Sequence, residues 1–143
     1  MTQQIDTACT AIAAVVASVS GVNAAPATPQ DNINERVFAL TYPMSAELDI
    51  GPLGTRGELW NVASDLLTPH SNTSQNLSAL IPILVLVLTA LNSEMVSGGD
   101  FFGGAIDTTA TIRVEFLPFY PYSGVDCIGY RVTLEGVKLM VNL

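Results

Sequence analysis

The stretch TTATIRVEFLPFYPYSGVDCIGYRVTLEGVKLMVNL, Thr108 to Leu143, decides the fold. Ile112, Val114 and Phe116 alternate with Arg113, Glu115 and Leu117, the two-residue period of a strand with one buried face. Residues 121–124, PYSG, turn the chain, and Ile128, Tyr130, Val132 and Leu134 resume the alternation. At Glu135 and Gly136 the apolar set changes phase and moves to Val137, Leu139 and Val141. A strand keeps both sets on one side of a sheet only by taking in an extra residue, so a β-bulge is expected at the glycine. The C-terminal part, about 108–141, therefore reads as an antiparallel hairpin.

Upstream lies ALIPILVLVLTAL, Ala79 to Leu91, without a single charge. The apolar run from Leu77 to Leu91 is fifteen residues, interrupted by Ser78 and Pro82, and falls short of the roughly 20 that cross a bilayer as a helix. No Lys or Arg flanks it to anchor it in a membrane. It predicts a buried helix over about 77–92, with Leu77, Ile81, Leu84, Leu88 and Leu91 on one face and Pro82 tolerated if it falls in the first turn. Leu80, Ile83, Val85, Leu86 and Val87 make its other faces apolar too, and such a helix has to be covered all round. The cover is expected from the sheet on one side and from the first helix or another subunit on the other.

That first helix is expected over about 2–20, where Ile5, Ala8, Cys9, Ile12, Val15, Val16 and Val19 share one face and Gly21 supplies the stop. The apolar N-terminus has Asp6 and no Lys or Arg before it, the wrong sign for a signal peptide, and is expected to stay as structure. Residues 22–32 read as an extended loop. Glu35 to Tyr42 reads as a strand ended by Pro43, with Phe38, Leu40 and Tyr42 on one face. The Pro- and Gly-rich segment 43–57 is expected to be an exposed loop or hairpin that reaches a neighbour. Glu58 to Leu67 reads as a strand with Trp60 and Val62 on one side, although its second half would tolerate a helix. The order of pieces is that of one α+β domain spanning 1–143, an antiparallel or mixed sheet with two helices packed on one face.

Chemistry leaves few traces. The net charge is −8, and the five basic residues, Arg36, Arg56, Arg113, Arg131 and Lys138, are scattered, so no patch exists to neutralise phosphates. Cys9 and Cys127 match neither a zinc nor a redox spacing and read as free thiols. His70 has no local partner, and Asp65, Asp100, Asp107 and Asp126 read as solvated loop acids. The glycine-rich SGGDFFGG, 97–104, lacks the lysine and hydroxyl of a phosphate loop. No catalytic residue, metal site or cofactor is expected. The interface candidates are Leu53 and Arg56 in the 43–57 segment, Phe101 and Phe102 between paired glycines, and Phe119, Tyr120 and Tyr122 in the aromatic turn.

The segments IDTACTAIAAVVASVSGV, ERVFALTYP, GELWNVASDLLTP, LSALIPILVLVLTAL and VEFLPFYPYSGVDCIGYRVTLEGVKLMV follow one another in a layout that resembles the tail terminator proteins of long-tailed bacteriophages, the family of lambda minor tail protein U. The likeness covers nearly the whole chain and is one of layout. It implies a structural virion protein of the tail and neck, assembled in the host cytoplasm. Its partners would be five further copies in a hexameric ring, the tail tube protein below and the head-completion protein above, with DNA only passing through the lumen and no membrane. Another head–tail connector, a tail tube protein, or a small-molecule-binding or hydrolytic α+β domain are the alternatives.

Overall fold

The computed structural model describes residues 4–24, 37–50, 55–69, 73–96, 102, 111–122 and 124–142. Along the chain run α1 (Ile5–Ala17), β1 (Val22–Ala24), β2 (Val37–Ile50), β3 (Thr55–Pro69), α2 (Thr73–Val96), β4 (Thr111–Tyr122) and β5 (Val125–Asn142). The strands form one sheet in the order β1-β2-β3-β5-β4, with β1 parallel to β2 and every other pair antiparallel. Helix α1 packs on β2 and α2 on β3 and β5, side by side, so the protein is an α+β fold with both helices on one face of a mixed sheet.

Ala8, Ile12 and Val16 form the buried stripe of α1, and Asp6 lies in its first turn, where the positive end of the helix favours an acid. The helix closes with the Ser18 N–H bonded to the Ala14 carbonyl at 3.0 Å, and Gly21 follows with φ 95°. That glycine lies against Ile83, which brings the end of α1 beside α2.

The expected bulge is present. Trp60 pairs with Val137 but Val62 with Leu134, so β5 takes in one extra residue there, and Gly136 adopts φ 70°. The Asn61 side-chain oxygen accepts a 3.4 Å hydrogen bond from the Gly136 N–H. Leu134, Val137 and Leu139 are all buried as a result, under the helices with Val62, Leu66 and Val132.

Three expectations need correction. The chain does not leave the sheet at Pro43: β2 continues to Ile50 and β3 begins at Thr55, so 43–50 and 55–57 are strand, while 51–54 lie outside the described residues. Pro43 is accommodated because β1 pairs only residues 37–39 of β2, so that among the described residues no strand pairs with the β2 edge at the proline, and because the register shifts between Pro43 and Ser45. Secondly, α2 is longer than expected, and Pro82 lies in its interior, where it has no N–H for the Ser78 carbonyl. Its core face is Leu80, Leu84, Val87 and Leu91, and Ile81 is exposed. Thirdly, Val22–Ala24 is the short strand β1, not loop.

Among the described residues no helix is long and apolar enough to cross a membrane. The sheet covers one face of α2 and α1 one flank, yet Val85 and Leu86 remain exposed at 56% and 49%.

Candidate functional site

The sheet face away from the helices has its own organisation. Phe38, Leu67 and Cys127 are buried there, with Leu40, Leu117, Tyr120 and Tyr122 packed around them. The rings of Phe38 and Tyr122 lie 5.5 Å apart. Burial, and then the nearby Asp126 charge, push the Cys127 thiol up to about 11. Neither cysteine forms a disulfide, and Cys9 is half-buried.

At the centre of this face is Asp65, fully buried in the middle of β3 and not the solvated loop acid its sequence context suggested. Arg131, directly opposite on β5, donates from Nε to Oδ1 at 2.8 Å and from Nη2 to Oδ2 at 3.2 Å. Tyr42 on β2 donates its hydroxyl to Oδ2 at 2.7 Å, and Tyr120 on β4 stands near the same carboxylate. Burial first, then the Asp65 bond and charge, raise the Tyr42 phenol well above its ordinary value, and burial followed by the Asp65 charge raises Tyr120. The bond to Asp65 keeps Arg131 protonated even more firmly than usual. Three hydrogen bonds, two from Arg131 and one from Tyr42, hold this carboxylate, so Asp65 ties β2, β3 and β5 together.

Beside it, among the described residues, are two open depressions. One of about 170 Å³ is lined by Met44, Ser45, Asn61, Thr133 and the ion pair of Arg113 with Glu135, 2.8 Å apart, and another of about 400 Å³ lies at Ser45, Glu47, Leu59 and Asn61. Among the described residues no group of three or more His, Cys, Asp or Glu is placed to hold a metal ion.

Of the interface candidates, Phe119 is 61% exposed, while Tyr120 and Tyr122 are half-buried in the second cluster. Phe102 is in the main core at φ 51° and offers no ring to a partner. Arg56 is a β3 residue opposite Ile50 and Val141. Leu53, Phe101, His70, Asp100 and Asp107 lie outside the described residues, and Asp126 is exposed on β5. Trp60 packs against the core and donates from Nε1 to Glu58 at 2.8 Å.

The exposed apolar surface falls on three elements, with Val114, Phe116 and Phe119 on β4 beside the two groups that follow. Met44, Leu48 and Leu59 are exposed on the β2–β3 hairpin, and Ile81, Val85 and Leu86 on α2. Met44 and Leu48 lie in the 43–57 segment expected to be an exposed loop or hairpin, and α2 is the helix expected to need cover from the first helix or another subunit; which side chains stay bare is what the sequence does not show. Neither a scan of protein-family models nor a search of curated protein sequences finds a match for this chain.

Proposed function

We propose that the chain is a structural protein of a phage neck, a tail terminator whose hexameric ring caps the tail tube, stops its growth and joins it to the head-completion protein. The observation that carries this reading is that apolar side chains stay exposed on two separate elements, Val85 and Leu86 on α2 and Met44, Leu48 and Leu59 on the β2–β3 hairpin, where the register puts Leu48 and Leu59 on opposite faces. Different apolar surfaces on one chain suit a head-to-tail contact, in which one surface of a copy meets another surface of the next, and such a contact closes into a ring when its rotation permits. Exposed apolar clusters of this kind mark association surfaces. The order of elements and the helix-on-sheet layers agree with the layout that prompted the resemblance.

The acidity adds a second support. A net charge of −8 lets a lumen repel passing DNA and keep it from sticking. The test is recruitment: tail tubes assembled from the same virus's tube protein, incubated with this chain, are expected to carry it at their tips only and to stop elongating. Decoration along the tube wall, or unchanged elongation, would contradict a terminator.

A further inference from the structure

We propose that two copies of this chain pair through their β4 strands, antiparallel about a dyad at Val114, so that the sheet of one copy continues into the other. Among the described residues strand β4 is the outermost strand beyond β5, and a strand at a sheet edge presents backbone N–H and C=O groups to whatever approaches. Its second half is blunted by Pro118, Pro121 and a register shift between Leu117 and Tyr120. The first half, Thr111 to Leu117, contains no proline and keeps regular register with β5. Val114 is the middle residue of that window.

The side chains select the same centre. In an antiparallel pair, residues directly opposite share a face. Pairing about Val114 sets Arg113 of each copy opposite Glu115 of the other, Ile112 opposite Phe116, and Thr111 opposite Leu117. Arg113 and Glu115 have side chains 69% and 54% exposed, so both are reachable. Arg113 already bonds Glu135 through Nε, but its guanidinium has further N–H donors for a second carboxylate. Centring the pair on Arg113 or on Glu115 would instead put like charges face to face, which is unfavourable.

The pairing also covers surface that the single chain leaves bare. Phe116 is opposite Tyr130 on β5, whose ring packs toward the helices, so Val114 and Phe116 stand on the helix side of the sheet, where they are 40% and 45% exposed. Leu80, Leu84, Val87 and Leu91 point α2 at the sheet, and contact with Gly21 puts Ile83 on the flank beside α1. Helical geometry then places Ile81 and Leu88 on the opposite flank, over the β4 side. Joining two β4 strands lays their apolar stripes together between two such flanks. The contact is two-fold and self-complementary, separate from the head-to-tail contact of a ring through Val85, Leu86 and the hairpin.

The test is cysteine cross-linking of the full chain under mild oxidation, read on non-reducing gels with the wild type as background. Directly opposite residues on paired strands lie within disulfide reach. Val114→Cys is expected to convert to a covalent dimer. Thr111→Cys and Leu117→Cys are each expected to stay uncrossed alone, and to cross-link when mixed. No dimer from Val114→Cys above background, or a dimer from Thr111→Cys alone, would overturn the pairing. Six-fold rings in images of the wild type without a Val114→Cys cross-link would overturn this contact and leave the ring intact; a cross-linked pair that never forms rings would do the reverse.

Discussion

Asp65 and Arg131 face each other directly across β3 and β5, the guanidinium forked onto the carboxylate at 2.8 and 3.2 Å with the acid wholly buried. A buried ion pair is fragile to the loss of one member, since the survivor keeps its charge without a partner. Asp65→Ala is therefore expected to cost about 3–5 kcal/mol, seen as a lower urea midpoint. The double change Asp65→Leu with Arg131→Met removes both charges and is expected to recover most of that loss. A double variant as unstable as the single would show that the pair does more than satisfy itself.

The phenols around the same carboxylate set the alkaline limit. Tyr42 and Tyr120 titrate above their ordinary 10.0 in the folded chain, and Cys127 above its ordinary 9.0, at about 11. Between the unfolded and folded values the native state holds protons that the unfolded chain has released, so stability falls as pH rises. The decline is expected to begin near pH 9 with Cys127 and to steepen above pH 10 with the tyrosines. Urea midpoints taken from neutral pH upward check this, and Tyr42→Phe is expected to flatten the upper part of the curve.

The β-bulge gives a local prediction. Gly136 adopts φ 70°, in the left-handed region where a side chain crowds the following carbonyl. Gly136→Ala is expected to cost roughly 1–2 kcal/mol in thermal or urea unfolding. A neutral result would mean that the bulge relocates when the glycine is lost.

Core and assembly separate on α2. Leu91 is fully buried, and Leu91→Ala is expected to cost about 2–5 kcal/mol. Val85→Lys with Leu86→Lys changes exposed positions and is expected to shift unfolding by no more than about 0.5 kcal/mol per substitution while abolishing assembly in sedimentation velocity. Unfolding of the Lys variant as severe as Leu91→Ala would show that this face is part of the core.

The hairpin β4–β5 and its bulge were legible because a two-residue period is unambiguous when charges alternate with Ile, Val and Phe, and because its phase break falls on a glycine. The orientation of α2 was not, since a helix apolar all round offers several equivalent stripes, and Leu80–Leu84–Val87–Leu91 differs from the expected set by a small rotation. Pro43 misled because a proline stops a strand only where its N–H is needed. Asp65 was hidden because its partner lies 66 residues away in sequence. Of the interface residues, Phe119 was readable as an exposed aromatic, and 43–57 as an exposed segment, whereas the particular apolar side chains left bare on α2 and the hairpin emerge only once packing has decided which ones the core takes in.

The most direct measurement is the mass of detergent-free protein by light scattering over a concentration series, with the same samples imaged by negative stain. Closed six-fold rings are expected, single or paired through β4, with a mass that stops there and does not grow into tubes. A mass fixed at one or two chains at every concentration, with no rings in the images, would contradict a ring-forming structural protein, and open-ended tubes would contradict a terminator.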